Sequence, residues 1–295
     1  MDTPQTLQLS TSLAAAANGL LTAGAFAYDG GDVRARANAW ASSLAPDVLH
    51  DARRAVESVG FTVLPSTPAG VALADAIAVA AAVHVNARGV ADLLETSVDG
   101  TRVQGRTHAW ESALPGVPEA FARVVAHVAP VRNTGATAAP LRGTLVQPFL
   151  LLPGAQGQPW HRDHSSPGFS VLFYVDDVDA VSSTRLVLRS HDANAMLQNA
   201  ALTAASAPHS SFASSPGSRG AALVFCFGVL HRGSPLAASA PRLIHRIFGY
   251  VVGGSPEIAR RADASDLARC GIALDAGTIT FPDEVLEFPG SFESE

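Results

Sequence analysis

Gly220-Ala-Ala-Leu-Val-Phe-Cys-Phe-Gly-Val-Leu-His-Arg-Gly-Ser234 is an apolar run that ends on a histidine and a tight turn. Its apolar part, Ala221 to Phe227, is short and bounded by turn residues, which suits a buried strand better than a helix. Runs of the same texture lie on both sides of it. Thr144 to Leu152 is closed by Pro153-Gly154, Phe169 to Val175 and Thr184 to Leu188 follow, and Leu243 to Val252 comes last. Short, turn-bounded and partly alternating strands of this kind predict a barrel or a double-sheet jelly roll.

Upstream the pattern changes. Val33 to Leu44, Pro46 to Val59, Val71 to Leu94 and Pro118 to Val128 are Ala-rich, with apolar residues recurring at three and four, and predict helices. Pro46 and Pro118 sit where a first-turn proline is tolerated. Gly60-Phe-Thr-Val-Leu-Pro65 reads as one short strand between helices, and Asp99 to Leu114 as a loop or short hairpin. The expected class is therefore α+β: a strand core over 142–253, a mainly helical support over 32–141, and a C-terminal helix and tail over 254–295. Together these make one domain, 32–295, preceded by an N-terminal extension, 1–31. Within the tail, Pro256 to Cys270 reads as the helix. Ala193 to Arg219, rich in Ala, Ser, Pro and Gly, is too long for a hairpin turn and is expected to form a lid or substrate loop, with a short helix near Asn194 to Ala205.

Composition closes several routes. Hydrophobic residues make up 47% and charged residues 16%, enough for a buried core and against disorder. All 20 basic residues are arginine, so a Schiff-base lysine, a pyridoxal-phosphate anchor and a P-loop lysine are excluded. A net charge of −6 argues against a broad nucleic-acid surface. Cys226 and Cys270 form no metal or redox motif and read as reduced thiols in a cytoplasmic protein. Leu13 to Ala27 is apolar and ends in Ala-Phe-Ala, but no arginine precedes it and it is too short and broken for a membrane span, so neither secretion nor membrane insertion is expected.

Chemistry concentrates at Pro159-Trp160-His161-Arg162-Asp163-His164. In an extended segment, residues i and i+2 point to the same side, so His161 and Asp163 can face one metal. Alone, His-x-Asp reads equally well as a surface turn with a local ion pair. His231, sixty-eight residues after Asp163, completes two histidines and a carboxylate, the facial set of non-haem iron(II) oxygenases; the bland alternative is a strand-end core histidine. Eleven residues further, Arg242 offers a guanidinium fork suited to a carboxylate, or is an exposed pre-strand arginine. Alternation puts Arg242, Ile244, Arg246 and Phe248 on one face. Four residues of strand span about 13 Å, so Arg242 and Arg246 cannot both grip one small diacid. Gln147 is either a co-substrate contact or a ladder residue, and Trp160, Leu172 and Phe173, with Arg246, are candidates for the substrate pocket or, for the apolar three, plain core. His164 points away from Asp163 in a regular strand and is expected outside the ligand set, as is His191.

Here the chain resembles a known family. Gln158-Pro-Trp-His-Arg-Asp163 is similar to the proximal motif of the phytanoyl-CoA dioxygenase-like oxygenases, and Gly220 to Ser234 to their distal motif, with the spacing to Arg242 also in agreement. Arg54 to Pro65 resembles the helix and first strand that open such proteins, so the likeness covers roughly 50 to 253. It implies a double-stranded β-helix with helices outside and iron(II) held by His161, Asp163 and His231. It implies 2-oxoglutarate held by Arg242, dioxygen as co-substrate, and ascorbate as a stimulant. The implied reaction is hydroxylation of a C–H bond of a small organic substrate with release of succinate and CO2, and the presence of Asp163 argues against halogenation. Leu188-Arg-Ser-His191 departs from the family's Pro-Gly-Ser-His, and the family's Asn and Ser between distal histidine and arginine are not cleanly present. A catalytically silent binding module and a cupin-type metalloenzyme that does not use 2-oxoglutarate are the competing readings.

Overall fold

A computed structural model describes residues 13–22, 32–96, 102–106, 108–129, 139–158, 161, 163, 168–187, 191, 212–241, 243–254, 273–275, 278–281 and 284–287. Helices α1 (Leu13–Thr22), α2 (Val33–Ser43) and α3 (Pro46–Val59) lead into strand β1 (Phe61–Leu64). Each start and stop has a local cause. The Asp32 side chain accepts from the Arg34 amide at the head of α2, and Pro46 occupies the first turn of α3. Gly60, at φ +92°, ends α3 in the left-handed conformation and turns the chain into β1.

Helix α4 (Pro68–Arg88) is capped by Thr67 and followed by the short α5 (Val90–Leu93). By length and apolarity α4 could cross a membrane, but Leu73, Ala74, Ile77, Ala78, Ala81 and Val85 are buried in the same core as the sheet. The expected loop or hairpin around 99–114 is a hairpin, β2 (Leu94–Thr96) with β3 (Arg102–Gly105), set earlier than expected and followed by turns. Helix α6 (Val117–Val128) then packs on the sheet through Phe121. Residues Ala16, Ala17 and Leu20 of α1 are buried in the core as well.

The remaining strands are β4 (Ala139–Leu151), β5 (Gly168–Tyr174), β6 (Thr184–Val187), β7 (Phe212–Ser214), β8 (Ala222–Cys226), β9 (His231–Gly233) and β10 (Ile244–Gly254). They form two sheets. The larger has the order β1-β8-β5-β10-β4-β3-β2, and the smaller β7-β6-β9, with antiparallel pairing throughout. His161 extends the smaller sheet by bridging to His231. From β4 to β10 the chain thus visits larger, smaller, larger, smaller, smaller, larger, smaller, larger: the winding of a double-stranded β-helix. A separate C-terminal sheet of β11 (Ala273–Asp275), β12 (Thr278–Phe281) and β13 (Glu284–Glu287) lies in what was expected to be tail. The expected helix at 256–270 falls outside the described residues.

Alternation divides the larger sheet into two faces. On β10, His245, Ile247 and Gly249 face the helices; a Cβ at Gly249 would stand 2.7 Å from the Phe121 ring, so only glycine admits α6 this closely. Trp40 of α2 joins this layer, in edge contact with Phe121 and Phe173. The opposite face, carrying Arg246, Phe248 and Tyr250, lines the space between the two sheets.

Candidate active site

The three expected metal ligands come together at one end of that space. The donor atoms of His161, Asp163 and His231 all lie within 4.8 Å of one another. Asp163 Oδ1 stands 3.3 Å from His231 Nε2 and 3.7 Å from His161 Nε2. Two ligands at about 2.1 Å from a metal and at right angles to each other stand about 3 Å apart, so this triangle needs little contraction to close on an ion. The backbone explains the convergence. His161 and His231 exchange both amide hydrogen bonds, at 2.9 and 3.0 Å, and their rings lie 4.3 Å apart. Two residues along, the Gln158 amide donates to the Gly233 carbonyl and the Gln158 side-chain oxygen accepts from the Gly233 amide. Buried Arg102 donates to the carbonyls of Gly233 and Ser234. The segments that carry His161 and His231 are therefore tied together by the protein's own hydrogen bonds.

Each ligand is also oriented. His231 Nδ1 lies 3.1 Å from the Val229 carbonyl, which holds the ring with Nε2 turned toward Asp163. Phe225 covers the same ring at 4.6 Å. Asp163 accepts a hydrogen bond from Ser170 Oγ on Oδ2, which leaves Oδ1 facing the imidazoles. Burial alone would raise the Asp163 carboxyl. The His231 charge and hydrogen bond, the His161 charge and the Ser170 hydrogen bond outweigh it and lower the pKa to about 2. A carboxylate held ionised between two imidazoles fits a divalent cation of borderline softness, and the set leaves other coordination positions to exogenous ligands.

The ligands open into a cavity of about 260 Å³ with Phe149, Leu172, Phe225, Phe248 and Tyr250 as apolar walls. Gln104, Gln158, Thr184 and Arg246 supply its other polar groups. Arg246 is 2% exposed. Its Nη2 donates to the Ser182 carbonyl at 2.7 Å, Nη1 lies 3.5 Å from Thr184 Oγ1, and the guanidinium sits 5.7 Å from the Tyr174 ring centre. Among the described residues no carboxylate pairs with it, and its Nε has no hydrogen-bond partner. Burial lowers its pKa, opposed by Tyr174, Asp176 and Asp179. A buried, unpaired cation is costly to maintain and is stabilised by an anion.

Of the other expected residues, Gln147 is buried with its side-chain oxygen unpaired among the described residues, but it does not line the cavity. Phe173 is corrected: it packs against Trp40 on the helix side of the larger sheet, and its neighbour Leu172 takes the cavity side, because adjacent strand residues face opposite ways. Trp160, His164 and Arg242 fall outside the described residues. His191 lies by Gly60 and Gly228 and is not part of the His161, Asp163 and His231 cluster. Ser170, Thr184, Gln104, Gln158 and Tyr250 were not singled out from sequence. Ser170 carried a signal: it is the one small polar residue among the aliphatic and aromatic side chains of Phe169-Ser-Val-Leu-Phe-Tyr174.

No family model matches the chain, and no significant match is found among curated proteins. Solved structures do match. The epimerase SnoN, in complex with Fe3+, alpha ketoglutarate and nogalamycin RO, aligns at a TM-score of 0.51 and 14% identity, over 84% of this chain and 98% of that one. A second structure of SnoN, described as a non-heme alpha ketoglutarate dependent epimerase from nogalamycin biosynthesis, aligns at 0.51 and 14% over 70% and 82%. AviO1 from Streptomyces viridochromogenes Tue57 aligns at 0.48 and 20% over 71% and 96%. The likeness to SnoN is one of fold, in agreement with the strand winding described above.

Proposed function

We propose that the chain is an iron(II)- and 2-oxoglutarate-dependent oxygenase that oxidises a C–H bond of a small organic molecule. The observation that carries this reading is the buried guanidinium of Arg246, which has no carboxylate partner among the described residues and an unbonded Nε, in the same cavity as the His161, Asp163 and His231 donor set. A metal site alone would suit many hydrolytic or isomerising enzymes; a metal site with a fixed cation deeper in the cavity suits a chelating diacid. The strand register supports the distance. His231 pairs with Leu186 and Gly233 with Thr184, so Thr184, beside Arg246, lies two residues from the metal level, or about 7 Å. The five-carbon chain of 2-oxoglutarate is about 5 Å from end to end, and the guanidinium fork covers the remainder. Arg242, expected from spacing to do this work, is the rival anchor. The fold shared with SnoN, whose structure holds iron and alpha ketoglutarate, is consistent with the same pair here.

When bound, iron(II) and 2-oxoglutarate supply the oxidation, in which dioxygen is consumed, the 2-oxo acid becomes succinate and CO2, and the substrate gains oxygen or loses hydrogen. The protein's own residues prepare that event. His161, Asp163 and His231 would hold the metal, and three protein donors would leave further positions to exogenous ligands. Arg246 fixes the far carboxylate of the diacid bidentately or through its Nε–H edge. Phe149, Phe225, Leu172 and Phe248 exclude water and offer an apolar surface, so the substrate is a small molecule with an apolar body.

The test is product balance. Protein loaded with iron(II) and incubated in air with 2-oxoglutarate and a panel of small apolar compounds should form succinate, enhanced by the true substrate and matched by oxidised product. Asp163→Ala should reduce succinate to the level of free iron. Metal-dependent conversion of substrate with 2-oxoglutarate untouched would establish a cupin-type enzyme instead.

A further inference from the structure

The structure assigns Ser170 as a positioning residue that keeps Asp163 a one-oxygen ligand and so preserves the coordination positions a chelating co-substrate needs. This rests on the metal-site reading above. Ser170 lies on β5, fully buried, in register with Tyr250 of β10 and Phe225 of β8, on the cavity face of the larger sheet. Asp163 belongs to the other side: it follows His161, which bridges to the smaller sheet. The hydrogen bond from Ser170 Oγ to Asp163 Oδ2 therefore ties the carboxylate to a rigid strand of the opposite sheet. Oδ1 is left to face His161 Nε2 and His231 Nε2.

The consequence follows from carboxylate chemistry. An ionised carboxylate has two equivalent oxygens and can take a metal through one or both. Two imidazoles and a one-oxygen carboxylate occupy three of six octahedral positions; a two-oxygen carboxylate takes a fourth. A 2-oxo acid needs two and dioxygen one, so the extra contact closes the site to one of them. A hydroxyl donating to Oδ2 engages that oxygen and fixes the plane of the group. Ser170 touches neither metal nor co-substrate; it acts through Asp163.

The shape-matched pair Ser170→Thr and Ser170→Val isolates the hydroxyl, since both add similar bulk and only the first can donate. Cobalt(II) serves as the probe, because its visible spectrum reports coordination number without turnover. In Ser170→Val the cobalt(II) dissociation constant should rise about 10- to 100-fold. Its visible bands should differ from those of the native protein, and 2-oxoglutarate should bind the cobalt form more weakly than it binds native cobalt protein. Ser170→Thr should restore all three, with thermal midpoints of the two apo variants agreeing within a few degrees. Should both lose the fold, Ser170→Ala, which adds no bulk, carries the same comparison against the native protein. Equal cobalt affinity and identical spectra in hydroxyl-bearing and hydroxyl-lacking forms would overturn the role of Ser170 while leaving the metal site standing. Absence of cobalt binding by the native protein would overturn both.

Discussion

Arg246 and Arg242 compete for one carboxylate, and a charge-conserving change separates them. Lysine keeps the positive charge but loses the planar fork. Arg246→Lys should weaken 2-oxoglutarate binding about 10- to 100-fold, the equivalent of one charge-assisted hydrogen bond, and leave iron(II) binding within about twofold. Arg242→Lys should be mild on the same measure, read by anaerobic titration of the iron form; the reverse order would make Arg242 the anchor. The convergence of His161, Asp163 and His231 was legible in the sequence because these residues carry their own chemistry and spacing. Arg246 was visible as a parity partner of Arg242 and as a candidate for the substrate pocket, not as the co-substrate anchor. Choosing between them needs the pairing of Thr184 with Gly233 and the contact between Thr184 and Arg246, both set by long-range register. Phe173 was misassigned for the same kind of reason. An apolar run buried on both faces gives no sign of which alternate residues look toward the cavity.

The strand elements were read closely where turn residues bound them: β5, β6, β8 and β10 each begin within about one residue of expectation, because Gly or Pro punctuates the chain before β5, β8 and β10, and Ser182-Ser183 before β6. β7 was missed. Phe212-Ala-Ser214 sits within a small-residue stretch whose composition reads as loop, yet it pairs with Arg185, Leu186 and Val187. Only the partner strand makes it a strand. The described end of the insertion expected over 193–219 is therefore scaffold. Its C-terminal end holds Ser215, whose carbonyl accepts from the buried Tyr174 hydroxyl, and Arg219, which pairs with Asp75 of α4. Residues 192–211 lie outside the described region, and their gating of the cavity is a proposal. Replacing 195–209 with a short Gly-Ser linker should leave the thermal midpoint and iron affinity nearly unchanged while lowering coupled substrate oxidation. Replacing 193–219 should cost more than about 3 kcal/mol, since it removes a strand and leaves the Tyr174 hydroxyl unpaired. Equal stability of the two deletions would show that β7 contributes nothing to the barrel, and equal turnover by the shorter deletion would show a passive loop.

Across the whole molecule the helical layer covers the outer face of the larger sheet, and His245 is trapped beneath it. It is 1% exposed, and neither ring nitrogen has a hydrogen-bond partner among the described residues. Burial, with the Arg219 charge adding to it, lowers its pKa to about 3. In the unfolded chain it titrates near its ordinary 6.5, so between about pH 6.5 and 3 the unfolded state binds a proton that the folded state refuses. Stability is full above that window and falls as pH drops through it, by up to about 1.4 kcal/mol per pH unit. His245→Leu should remove that slope in urea unfolding between pH 6 and 4; an unchanged slope would mean that the ring protonates in place. Asp163 adds a separate loss below its unfolded value of 3.8, as its carboxylate protonates toward its folded value of about 2.

The central claim, that this β-helix holds iron(II) and 2-oxoglutarate together in one cavity, is tested most directly by adding 2-oxoglutarate to the iron(II) protein without oxygen. Chelation of a 2-oxo acid to iron(II) gives a visible charge-transfer band that neither partner shows alone. The band should appear, saturate at one diacid per chain, and vanish in His231→Ala. A protein that binds iron(II) tightly through these residues and develops no band at saturating 2-oxoglutarate would contradict the account.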